Sequence, residues 1–112
     1  MAPTDVWLYT LCPETSVDAK QWVQEALREM RYTPSGHLYQ QMRERQVTMD
    51  DVKNIIKRPT SVEPYPMQSQ NGGSCWRVFG RDLDRERLLA VGIDAYMSED
   101  GKAAILCTVI EL

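Results

Sequence analysis

The stretch Ile55-Ile-Lys-Arg-Pro-Thr-Ser-Val-Glu-Pro-Tyr65, IIKRPTSVEPY, divides the chain into two kinds of pattern. Before it, apolar residues recur at three- and four-residue steps; after it, they fall into short blocks rich in Val, Ile, Leu and aromatics. Pro59 closes the helical half, because proline disfavours helical geometry at the residue before it. Pro64 then fits only an edge strand, where no ladder donor is required of it.

Upstream of this divide the spacing predicts three helices. Thr15 or Ser16 caps the first, with Asp18 in the first turn where the helix dipole favours an anion. Ala19, Trp22, Val23, Ala26, Leu27 and Met30 carry its apolar face through about Arg31, and Tyr32-Thr-Pro-Ser-Gly36 breaks it. Ser35 starts the second helix, with Leu38 and Met42 on one face. Thr48 caps the third, in which Val52, Ile55 and Ile56 face inward. Downstream, Ser61 to Tyr65 reads as the edge strand, and Ser74 to Gly80, Arg87 to Met97 and Lys102 to Glu111 as longer strands. Turns fall at residues 83–86 and 98–101, and residues 67–73 form a polar loop ending in Asn71-Gly72-Gly73. The expected fold class is α+β: three N-terminal helices followed by a mostly antiparallel sheet of about four strands, the usual sheet size. One domain spans 1–112, with residues 1–34 as an N-terminal extension carrying an amphipathic helix and residues 35–112 as the α+β core.

Composition bounds the function. With 43% hydrophobic and 26% charged residues in 112, the chain reads as a soluble globular domain with one modest core. No apolar run approaches the roughly 20 residues that span a bilayer, and no basic region precedes the short N-terminal apolar patch. Three cysteines and one histidine, without Cys-x-x-Cys spacing, offer no closed zinc site; no metal or cofactor is implied, and a reducing cytoplasm is the simplest compartment. Thirteen Lys and Arg against sixteen Asp and Glu give a net charge of −3, which argues against a broad nucleic-acid surface but leaves room for a local one. Residues 37–58 hold such an excess: Arg43, Arg45, Lys53, Lys57 and Arg58 against Glu44, Asp50 and Asp51.

The segment Gly73-Ser-Cys-Trp76 matches the nucleophile segment of papain-like proteases. A thiolate nucleophile needs a base, and in that pattern the base is a histidine roughly 130–150 residues downstream. No histidine follows Cys75; the single one, His37, precedes it. Cys75 is therefore read as a strand residue.

A second pattern covers about two thirds of the chain. His37 opens a helix; Met42 and Arg43-Glu-Arg45 follow, then Val47-Thr48 and the Asp50-Asp-Val52 start of the next helix. A Val62-Glu-Pro-Tyr65 strand, Trp76-Arg-Val-Phe-Gly-Arg81, an apolar strand and a final Cys107-Thr-Val-Ile110 complete the order. This resembles a bacterial family of small domains of unknown function whose typical segment reads His-Ala-x-x-Arg-Met-x-x-Arg-Gly-Ile. That family is similar in layout to the BrnT and RelE ribonuclease toxins, a grouping that includes barnase-like and colicin-type ribonucleases. Gln41 stands where the pattern has arginine, and Gln46 where it has glycine.

The resemblance implies a toxin-like core and metal-free RNA cleavage, which requires a base for the 2′-hydroxyl, cations for the phosphorane and an acid for the leaving oxygen. His37 is the proton-transfer candidate, the side chain that normally titrates near neutrality. Arg45 and Arg77 suit bidentate phosphate contact, and Thr108 occupies a threonine position of the family pattern. Arg43 and Tyr65 are candidate substrate contacts, Tyr65 by stacking on an unpaired base. RNA is the partner on this reading. The alternative is a non-catalytic protein-binding module on the same scaffold: an immunity or antitoxin-type protein, or a phage-made inhibitor of a bacterial defence complex. An acidic protein of this kind suits a basic protein partner, with Trp7, Tyr9 and Trp22 as contacts if they are exposed. Neither reading involves a membrane.

Overall fold

A computed structural model describes residues 11–112. The elements run α1 (Ser16–Arg28), β1 (Tyr32–Pro34), α2 (Gly36–Arg45), α3 (Met49–Lys57), β2 (Ser61–Pro64), β3 (Ser74–Arg81), β4 (Leu88–Ser98) and β5 (Gly101–Glu111). Each helix starts at a side chain that satisfies an orphan backbone donor. Thr15 accepts from the Asp18 amide, Ser35 from that of Leu38, and Thr48 forms a reciprocal capping box with Asp51.

The strands form one sheet in the order β1-β5-β4-β3-β2. β2, β3, β4 and β5 pair antiparallel with their neighbours, whereas β1 pairs parallel with β5, Tyr32 opposite Ala104 and Pro34 opposite Leu106. The expected three N-terminal helices followed by about four mostly antiparallel strands is therefore corrected. The sheet is mixed and five-stranded, and β1 separates α1 from α2. β1 has no local signature: it is three residues long, ends in proline, and is held by a partner near the other end of the chain. Pro34 is tolerated because β1 is an edge strand.

All three helices cover one face of the sheet. Leu38, Ile55 and Ile56 are fully buried against Val78, Val91 and Leu106, and each such side chain contributes about 1.5–3 kcal/mol through burial. Residues 16–34 belong to the same core. Trp22 is buried, and its indole N–H donates to the carbonyls of Ala103 (3.1 Å) and Tyr96 (3.3 Å). Among the described residues, no helix is long and apolar enough to cross a membrane.

Among the described residues the other sheet face carries no helix, and a β-bulge shapes it. Gly92 pairs with Thr108 but Ile93 pairs with Leu106, so Cys107 has no residue opposite. The bulge resets the two-residue alternation: Ala104 and Leu106 are buried in the core before it, Val109 after it. Thr108 is thereby turned to the uncovered face, in one cross-strand row with Glu63, Arg77 and Gly92.

Candidate functional site on the uncovered sheet face

The row from β2 to β5 brings together side chains far apart in sequence. Tyr65, just beyond β2, is anchored by its amide donating to the Cys75 carbonyl at 3.0 Å. The Arg77 guanidinium carbon lies 4.2 Å from the centroid of the Tyr65 ring, a cation–π stack. Between them and β5 lies Gly92. A Cβ there would run into Thr108 Oγ1 and would lie in ordinary contact, 3.6 Å, with Tyr65 Cε2, so the glycine makes room for Thr108. Tyr65 and Thr108 line a cavity of about 220 Å³, together with Ser35, Met67, Cys75 and Asp94 among others. Arg77 does not itself line the cavity; it adjoins it by its stack on Tyr65.

Asp94 shapes one wall. It is buried, and its carboxylate accepts from Ser69 Oγ (2.6 Å), Asn71 Nδ2 (3.2 Å) and the Gln70 amide (3.4 Å). Ser69 Oγ accepts in turn from the amides of Asn71 and Gly73. The polar loop is thus folded over the sheet by one carboxylate. The two thiols of the cavity are poor nucleophiles. Burial raises the Cys75 thiol above its ordinary value, with the Asp94 charge adding to the effect. Burial likewise pushes Cys107 up to about 11, again reinforced by Asp94. Both are neutral near pH 7, and Cys75 is a strand residue of β3.

The other wall is the start of α2. Ser35 Oγ donates to the Cys107 carbonyl at 2.9 Å, and the Ser35 amide to that of Leu106. His37 lies two residues further, exposed in the first turn of α2, at the end of the helix that borders the cavity. One turn on, Gln41 Oε1 accepts from the Val109 amide at 2.9 Å, so the His37–Gln41 stripe runs beside the outer edge of β5.

The structure thus brings Tyr65, Arg77 and Thr108 together; His37 does not line the cavity, which α2 meets at Ser35, two residues before it. The structure does not bring Arg45 there. Arg45 lies eight positions past His37, about 12 Å along the axis at 1.5 Å per residue. It is 3.7 Å from Glu44, and its carbonyl accepts from Arg87 Nη1. Arg43 is exposed and off the stripe. Of the proposed protein contacts, Trp22 is buried, which removes it from any surface; Trp7 and Tyr9 lie outside the described residues. Three members of the site escape a reading by motif: Ser35, Gln41 and Gly92. An isolated glycine inside the apolar run Leu88–Ile93 is nevertheless a signal of a bulge or a close approach.

These features define a small α+β domain with a helix-covered sheet whose free face carries a cavity and a stacked arginine. Residues 35–111 match the family described as domain of unknown function DUF4258, and the chain belongs to that family. No curated protein matches the chain, and no solved structure does. The family match begins at the α2 cap, so α1 and β1 lie outside it although both belong to the folded core and sheet.

Proposed function

We propose that this domain is a ribonuclease-toxin-like module of the BrnT and RelE layout that cleaves RNA on the uncovered sheet face. The observation that carries the reading is the Arg77–Tyr65–Thr108 cluster around Gly92. One face of the Tyr65 ring is held by Arg77, and the cavity side receives an unpaired base. The Thr108 hydroxyl and the Arg77 guanidinium meet the charge that develops on the phosphate under attack. His37 takes the proton of the 2′-hydroxyl and returns a proton to the departing 5′-oxygen. Arg45, further along α2, contacts the RNA backbone away from the cleaved bond.

A second reading is favoured by one observation. Gln41, at the position where the resembled pattern has arginine, is committed to an edge amide of β5 and supplies no cation. A toxin-like scaffold without that cation suits a non-catalytic module that binds a protein, of the immunity, antitoxin or inhibitor kind.

Purified protein incubated with single-stranded RNA in excess EDTA separates the two. The cleavage reading expects 2′,3′-cyclic phosphate ends, with His37→Ala slower by about a hundredfold or more, the usual contribution of a general base. Arg77→Ala and Thr108→Val are expected to lose rate as well. RNA left intact by folded wild-type protein would overturn cleavage and leave the binding module.

A further inference from the structure

The helix-covered side of the molecule holds a feature that the uncovered face does not use. Only Arg31, Arg45, Arg87 and Lys102 lie within 4.0 Å of a carboxylate, leaving nine of the thirteen cations without one among the described residues. Six of those nine are gathered around α3. Arg28, Lys53 and Lys57 line a cavity of about 590 Å³, over an aromatic side chain, Tyr32. Arg58, Arg81 and Arg85 line a second, of about 450 Å³, with Asn54 and Thr60.

Helix geometry makes the two cavities neighbours. Lys53 and Lys57 form one i, i+4 stripe of α3, Asn54 lies on the adjacent one, and the C-cap Arg58 follows it with its amide donating to the Asn54 carbonyl, so the cavities flank a single ridge. Among the described residues no carboxylate lines either cavity; Glu29, Asp50, Asp84 and Glu86 are near in sequence but outside both linings. Like charges so arranged repel one another, which is notable in a chain whose net charge is −3. Guanidinium forks, a side-chain amide and a hydroxyl are the groups that hold phosphate oxygens. Tyr32, with Lys53 Nζ 5.7 Å from its ring centroid, adds the aromatic surface that single-stranded nucleic acids use for stacking.

We infer that the ridge of α3 and its two flanking cavities form a binding surface for the phosphodiester backbone of a single-stranded polynucleotide. One cavity takes phosphate on Arg58, Arg81 and Arg85, the other on Arg28, Lys53 and Lys57, and the strand crosses α3 between them. Recognition is electrostatic and independent of sequence. The surface is distinct from the Tyr65 cavity and does not depend on cleavage there.

The test uses a fluorescent 2′-O-methyl oligouridine, which lacks the attacking hydroxyl, with anisotropy read across a series of salt concentrations. Arg58→Ala/Arg81→Ala/Arg85→Ala is expected to weaken binding about tenfold or more, and to reduce the log K against log salt slope by about 2, at roughly 0.7 per phosphate contact. Arg28→Ala/Lys53→Ala/Lys57→Ala is expected to act likewise, and the lysine version of the arginine triple to restore most of the slope. Thermal melts identify any variant that has unfolded, and the lysine version then carries the comparison with Arg77→Ala. Affinity and slope unchanged in both folded triple variants would overturn the inference. So would a loss confined to Arg77→Ala, or displacement of the oligonucleotide by polyglutamate as readily as by polyuridine.

Discussion

The side-chain oxygen of Gln41 accepts a hydrogen bond from the backbone amide of Val109 at 2.9 Å, joining α2 to the edge of β5 beyond the end of β1. β1 pairs with β5 only as far as Leu106, and Ser35 and Gln41 then take over the exposed edge of the sheet. Arginine has no acceptor atom and cannot replace glutamine here. Gln41→Arg is expected to destabilise the fold by about 1–2 kcal/mol, because the part-buried Val109 amide loses its partner. Gln41→Glu, which keeps an acceptor, is expected to lose less. Urea denaturation of the three proteins checks the order, and an arginine variant as stable as wild type would show that the contact contributes nothing.

Gln46 ends α2 in the left-handed conformation, φ 53° and ψ 49°, where the resembled family pattern has glycine. A side chain is strained there, whereas glycine is not. Gln46→Gly is expected to raise stability by about 0.5–1 kcal/mol, seen as a higher urea midpoint at unchanged slope. The Gln46 carbonyl accepts from Arg87 Nη2, a backbone contact that the substitution keeps.

Gly92→Ala tests the candidate site with a single methyl group. The new Cβ meets Thr108 Oγ1, so Thr108 must leave its rotamer, while the Tyr65 ring stays at ordinary contact distance. The expected loss of stability is about 1–2 kcal/mol, in the range of overpacking, while RNA cleavage falls at least as far as in Thr108→Val. Undiminished cleavage would remove this face from the chemistry.

Acid sensitivity traces to two carboxylates. Burial raises the Asp51 carboxyl, but the amides of Leu83 and Thr48 and the Thr48 hydroxyl outweigh it and hold it below its ordinary value. Asp82 is likewise lowered: burial opposes its ionisation, and Arg87 with the Glu86 amide prevails. A carboxylate lowered in the folded state stabilises fully above its unfolded value of about 3.9 and loses that contribution as pH falls towards the folded value. Stability is therefore expected to fall through that acid window. Asp51→Asn is expected to flatten the fall, in urea midpoints measured across it.

The thiols give a further check. With Cys107 pushed up to about 11, its thiolate at pH 8 is about one part in a thousand. Alkylation of native Cys107 by iodoacetamide, followed by mass spectrometry, is expected to rise about tenfold per pH unit up to that value. Rapid, pH-independent labelling near neutrality would contradict the buried, Asp94-flanked setting.

Much of the local structure was legible in the sequence, because its causes are local. Thr15, Ser35 and Thr48 cap their helices with side chains that reach three residues ahead, Pro59 follows α3, and alternating strand residues mark β3. The candidate site was legible only in part. Tyr65, Arg77 and Thr108 could be named from the resemblance, but their meeting depends on register across four strands and on the bulge at Gly92. Trp22 showed an apolar helical position without showing that Ala103 and Tyr96 would bury it.

What the chain determined by itself was therefore each element whose signal lies within a few residues: caps, turns, apolar stripes and the change of period after Pro59. Only the tertiary structure decided that Tyr32–Pro34 is a strand, that Gln41 seals the edge of β5, and that cations of α1, α3 and the β3–β4 turn share one face. Each of these rests on a partner distant in sequence, and a hydrogen bond or a charge cluster leaves no period in the chain when its two sides are brought together by folding alone.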